Sequence, residues 1–110
     1  MMRIPMSSAA AALLRALFAR AGVSRDRILL TSYRSTDWQS LTFVGERHQI
    51  SLRVPGADAD AIARRITEGI GDSEFALPGQ IVADVALARP VQREGDGSIS
   101  LELEALTIFE

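Results

Sequence analysis

Cysteine, lysine and asparagine are all missing from these 110 residues, and histidine and tryptophan occur once each. Without cysteine there are no disulfides, thiol nucleophiles, iron–sulfur clusters or thiolate zinc sites, and the redox compartment stays undecided. Without lysine there is no Schiff base and no phosphate-cradling P-loop. A single histidine excludes a multi-histidine metal centre built by one chain. The missing lysine and asparagine share A-rich codons, so a GC-rich genome accounts for both. No cofactor is expected.

Long apolar runs are scarce too. The opening MMRIPMSSAAAALLRALFARAG has an early Arg3 and an apolar run at residues 9–14, superficially like a signal peptide. Arg15 ends that run far short of the roughly 18 residues that span a bilayer, and no small-x-small cleavage site follows. The segment reads as an amphipathic helix, and the protein as cytoplasmic with no membrane partner.

What remains suits folding. Hydrophobic residues make up 47% and charged residues 24%, the balance of an ordered chain, and the length suits one domain, residues 1–110, with a modest core. Net charge is -2, but residues 1–55 hold eight arginines against three acids (+5), and residues 56–110 hold four against eleven (-7). Such halves attract one another, within the fold or between subunits. An acidic chain with no basic tract and no RNA-binding aromatic pattern is not expected to bind nucleic acid.

Ser7 or Ser8 suits a helix N-cap, Ala10, Leu13, Leu14, Leu17, Phe18 and Ala21 repeat at the helical period, and Gly22 suits the left-handed end. RILLTSY (residues 27–33) reads as a strand, followed by a turn around STD. A second strand then runs to a reversal at Gly45 and Glu46. Beyond it His48, Ile50, Leu52 and Val54 alternate with Arg47, Gln49, Ser51 and Arg53, the pattern of a half-exposed antiparallel strand. Pro55 and Gly56 end it. A second helix starts near Asp58 or Asp60, with Ala59, Ile62, Ala63, Ile66 and Ile70 inward and Gly69 or Gly71 closing it. DSEFALPG is irregular, with Phe75 and Leu77 plugging the core edge. Two strands, 80–91 and 98–109, form a hairpin, with Pro90 at a frayed or edge position. The order predicts an α+β fold: a two-layer sandwich, an antiparallel sheet of four or five strands with two helices on one face.

In the last hairpin, Ile81, Val85, Leu87, Ile99, Leu101, Leu103 and Ala105 form the expected core side. The opposite side is polar except around Val82, Leu106 and Ile108. That patch, with Asp84 interrupting an apolar strand, marks an interface between copies, unless a bulge moves residues across the sheet. Asp84, Glu102 and Glu104 could share a proton or hold a cation, but acids alternating along a surface strand more often keep it soluble. GDGS at 95–98 lacks the ligand spacing of a calcium loop.

STDWQSLTFVGERHQISLRVPG contains Trp38, His48, Arg47 and Arg53. His48 has no nucleophile in an activating setting, so scaffold is the favoured reading. A small-molecule or anion site is the alternative: Tyr33 and Trp38, with Phe75 and Leu77, as apolar walls, and Arg47 and His48 as polar groups. The expected function is thus a structural or interaction domain that self-associates. An enzyme using carboxylate and arginine chemistry at a subunit interface is the least favoured class.

Overall fold

Ser7 starts the first helix as its composition suggests: its Oγ accepts from the Ala10 amide at 3.1 Å, and helix α1 (Ser8–Ala21) runs to Gly22 at φ 68°. The computed structural model describes residues 6–110, so Arg3 of the signal-like start lies outside the described residues. After a 3-10 turn at Arg25–Arg27 come strands β1 (Leu29–Gln39) and β2 (Val44–Val54). Helix α2 (Ala59–Thr67) follows, then a 3-10 turn at Ile70–Asp72, then β3 (Gln80–Leu87), β4 (Gln92–Arg93) and β5 (Ile99–Phe109). All pairings are antiparallel in the order β1-β2-β5-β3, and β4 pairs with β5 beyond the end of β3. Pro90 falls between β3 and β4, where no ladder donor is needed.

The structure is the expected α+β arrangement of an antiparallel sheet and two helices. Its core joins Leu13, Leu14 and Leu17 of α1, Ile62, Ala63 and Ile66 of α2, and the inward rows Ile50, Leu52, Val54 and Ile99, Leu101, Leu103. Leu77 is buried and Phe75 half-buried against this core, as plugs at its edge.

Arginines lock the two helices end to end. Arg20 donates to the carbonyls of Ile66 (2.9 Å) and Glu68 (2.6 Å) and to Ser73 Oγ (2.5 Å), and its guanidinium lies 5.9 Å from the centre of the Phe75 ring. Arg65 returns the contact to the Ala21 carbonyl at 3.3 Å. Each helix thereby supplies donors to the orphan carbonyls at the other's C-terminus.

Three local readings are corrected. Ser35, Thr36 and Asp37 form no turn; they lie inside β1 opposite His48, Arg47 and Glu46. Gly45 and Glu46 likewise belong to β2, and the chain reverses at residues 40–43. There Ser40 Oγ accepts from the amides of Thr42 (3.3 Å) and Phe43 (3.0 Å), so a serine side chain makes the turn in place of glycine. Third, the register of β3 slips between Val82 and Asp84: Val82 pairs with Thr107 and Asp84 with Leu106, leaving Ala83 as the extra residue of a bulge. Val82, expected at the interface, therefore lies in register with the inward row, and Ile81, expected in the core, shares the outer face with Ile108 and is 50% exposed.

No described helix is long and apolar enough to cross a membrane.

Candidate functional site

The helices cover one side of the sheet. On the other, the registers define successive rows across β1, β2, β5 and β3. At the end nearest the β1–β2 turn the row is apolar: Trp38, Gly45, Ile108, Ile81. The next is Thr36, Arg47, Leu106, Asp84, and the third is Arg34, Gln49, Glu104, Ala86. Ser32, Ser51 and Glu102 continue the series, with Ser51 Oγ donating to Glu102 at 2.5 Å. No described element packs over this face.

Its charge is divided laterally. Arg34 and Arg47 are diagonal neighbours on β1 and β2, and Asp84 and Glu104 are diagonal neighbours on β3 and β5, each pair about 7–8 Å apart by strand geometry. None of these four side chains has a hydrogen bond or ion pair among the described residues. The imbalance between the halves of the sequence is thus partly answered inside the fold. Arg27 bonds to Asp58 at 2.5 Å and Arg53 reaches Asp96 at 3.3 Å, both joining the basic half to the acidic one. Apart from Glu102, which accepts from Ser51, the rows of the open sheet face keep four charges without a partner among the described residues, Arg34, Arg47, Asp84 and Glu104. Asp96 is also held within its own loop: bonds from the Ser98 side chain (2.6 Å) and amide (3.0 Å), with Arg53 beside it, hold its carboxyl well down, at about 2.

The candidate ligand residues do not converge. His48 faces the helices and is only 1% exposed. Its Nδ1 lies 2.8 Å from Ser35 Oγ and its Nε2 lies 2.8 Å from Thr107 Oγ1, so the imidazole bridges β1, β2 and β5 through two hydroxyls. Burial lowers its pKa, opposed by the charge of Glu46. A Ser–His catalytic pair needs a carboxylate orienting the second nitrogen, and here a buried threonine occupies that place. Arg47 and Trp38 belong to rows on the opposite side, and Tyr33 pairs with Ile50 on β1. Nor do the acids collect: Asp84 stands opposite Leu106, Glu104 opposite Ala86, and Glu102 beside Ser51. Among the described residues no three acidic or histidine side chains are grouped to hold a metal ion.

Concavities are shallow. A groove of about 640 Å³ runs beside the start of β3, lined by Phe75, Leu77, Pro78, Ile81 and Val82, with Glu74 and Glu110 at its margin. Phe75 and Leu77 are the walls expected from the sequence, but Tyr33, Trp38, Arg47 and His48 are absent from the lining. A cleft of about 190 Å³ lies between Arg34, Thr36, Arg47 and Gln49 on the open face. The feature that sequence reasoning missed is Arg34. It sits just past the segment read as the first strand, and only the full length of β1 places it beside Arg47.

No family model matches the chain, and no curated protein matches its sequence.

Proposed function

We propose that this chain is a homodimeric interaction domain, two copies packing sheet to sheet through the face left open by the helices. The observation that carries this reading is the division of unpaired charge: Arg34 and Arg47 on the β1–β2 side, Asp84 and Glu104 on the β5–β3 side.

Two face-to-face sheets are related by a two-fold axis lying in the plane between them. An axis across the strands sets β1 over β1 and brings arginine to arginine. An axis along the strands sets β1 over the partner's β3 and β2 over its β5, keeping every row over itself. Arg47 then lies over Leu106 of the other copy and Arg34 over its Ala86, the two corners of a square whose remaining corners are Asp84 and Glu104. Thr36 and Gln49, both hydrogen-bond donors, come over Asp84 and Glu104. At the apolar end Trp38 covers Ile81. The interface is isologous and closes, and opposite charges fix its register.

The area suffices. Four strands at about 4.8 Å spacing and about 35 Å long offer roughly 650 Å² per copy, close to the ~800 Å² per partner of a standard interface. Sheets packed this way cross at about 30°, so the pairings are between neighbourhoods of side chains.

The test uses paired charge reversals. R34E/R47E and D84R/E104R should each be monomeric alone in sedimentation, and an equimolar mixture should give a particle near twice the 11.9 kDa chain mass. A wild-type chain that stays monomeric at high micromolar concentration and low salt would overturn the proposal.

A second reading rests on the small cleft. Arg34 and Arg47 with Thr36 and Gln49 present four donors around about 190 Å³, a fit for a phosphate or carboxylate. It leaves Asp84 and Glu104 without a role, which the dimer does not. Inorganic phosphate raising the melting temperature of wild type but not of R47Q would favour it.

A further inference from the structure

We infer that the open face binds a phosphate ester of a polyol in a trough running from Arg47 to Arg89, an inference that rests on the anion reading above. The small cleft does not end at Arg34 and Gln49. Those two residues also line a neighbouring cleft of about 440 Å³, together with Ser32, Ser51, Glu102 and Arg89. Its volume lies within the ~300–1,000 Å³ usual for small-molecule sites. The continuity follows from the registers. Thr36 with Arg47, Arg34 with Gln49, and Ser32 with Ser51 are successive pairs on one face of β1 and β2. Neighbours on one face of a strand stand about 7 Å apart, so the three pairs span about 14 Å. Glu102 lies opposite Ser51 on β5, and its carbonyl accepts from the Ala88 amide at 2.7 Å, which brings Arg89 to the far end.

The two ends of the trough ask for different chemistry. At the first, Arg34 and Arg47 repel one another, and Thr36 and Gln49 add donors without adding negative charge. An anion between the guanidinium groups relieves that repulsion. Two guanidinium forks and two further donors exceed what the two oxygens of a carboxylate accept. A phosphate monoester, with three terminal oxygens, matches them. At the other end Glu102 is the one carboxylate of the lining. It opposes a second anion there, and Arg89 opposes an ammonium group. Arg89, like Arg34 and Arg47, has no hydrogen bond or ion pair among the described residues. Neutral hydroxyls meet neither objection, since they donate to Glu102 and accept from Arg89. Ser51 Oγ donates to Oε2 of Glu102 at 2.5 Å, which leaves Oε1 for the ligand. The occupant therefore carries a phosphate at the Arg47 end and hydroxyl groups toward Glu102.

The probes are ribose 5-phosphate, ribose and inorganic phosphate, each titrated calorimetrically into the wild-type chain. Ribose 5-phosphate should bind about tenfold more tightly than inorganic phosphate, the gain from one charge-assisted hydrogen bond, and ribose alone should not bind measurably. E102Q, which removes the carboxylate that accepts the hydroxyls, should bring the two phosphate probes within about threefold of each other. R47Q should abolish the binding of both. A partner copy competes for the arginines with both probes alike, so the ratio of their affinities does not depend on the dimer. Equal affinities in wild type, or a preference that survives in E102Q, would overturn the inference and leave the anion reading standing. If neither phosphate probe binds, the anion reading falls and the inference with it. Sedimentation of the charge-reversed pair reads the dimer independently of all these results.

Discussion

Gly45 lies so close to the backbone of Thr107 that a β-carbon added to it would stand 2.0 Å from the Thr107 carbonyl oxygen. The obstacle is main chain in the central β2–β5 pair, which cannot swing aside as a flexible side chain would. Gly45 also occupies the row between Trp38 and Ile108. Gly45→Ala is expected to cost about 1–3 kcal/mol through overpacking, lowering Tm by several degrees. Thermal unfolding followed by circular dichroism reads it, and an unchanged midpoint would show that the strands separate there at no cost.

His48 sets an acid limit on stability. Burial lowers its pKa in the folded chain, while the unfolded chain keeps the ordinary value of 6.5. The unfolded state therefore takes up a proton first as pH falls. The stabilising contribution is complete above about 6.5 and is lost as pH drops through the lower folded value. Denaturant midpoints between pH 8 and 5 should decline on the acid side, and His48→Gln should flatten that part of the curve. Thr107→Val, which strips Nε2 of its partner, should cost about 1–3 kcal/mol at neutral pH.

Much of this architecture is legible in the residues, and the exceptions have physical causes. Ser7, the leucine stripe and Gly22 specify α1 because cap, period and left-handed stop agree. The alternation from Arg47 to Val54 specifies β2, since one buried face fixes the register. The stretch Ser35–Thr36–Asp37 misleads because its residues favour turns locally, yet edge strand β1 leaves much of its side-chain surface in water and tolerates them. The bulge at Ala83 carries no glycine to announce it. Leu106, Ile108 and Asp84 were legible as outer-face residues from β5 and β3 alone. Arg34 was not, because its place beside Arg47 depends on where β1 ends.

Arg20 is the largest single tie between the helices. Its guanidinium serves two carbonyls at the end of α2 and Ser73 Oγ, and it approaches the Phe75 ring. Removing it leaves the part-buried Ile66 carbonyl and Ser73 Oγ without that donor and frees the segment that carries Phe75. Arg20→Ala should destabilise by about 2–3 kcal/mol. Arg20→Lys, a point charge without the planar fork, should recover less than half of that. Hydrogen exchange should show the loss concentrated in residues 66–75; a uniform change along the chain would mean that Arg20 acts through charge alone.

Ala83 gives the register its sharpest test. The residues on either side of it already pair with consecutive positions of β5, Val82 with Thr107 and Asp84 with Leu106. Deleting Ala83 should therefore leave every pair and both faces as they are, removing only the kink. Its effect on stability is expected to stay within about 1 kcal/mol, the range for a change that leaves the core intact. Deleting Ala86 is different, because it lies in regular ladder between Val85 and Leu87. There the loss of one residue turns either Val85 or Leu87 to the wrong face, and re-exposing one such side chain costs about 2 kcal/mol. Urea midpoints of the two deletion variants measure the contrast directly. Equal losses would mean that Ala83 is part of the ladder after all, and would return Ile81 to the core and Val82 to the open face.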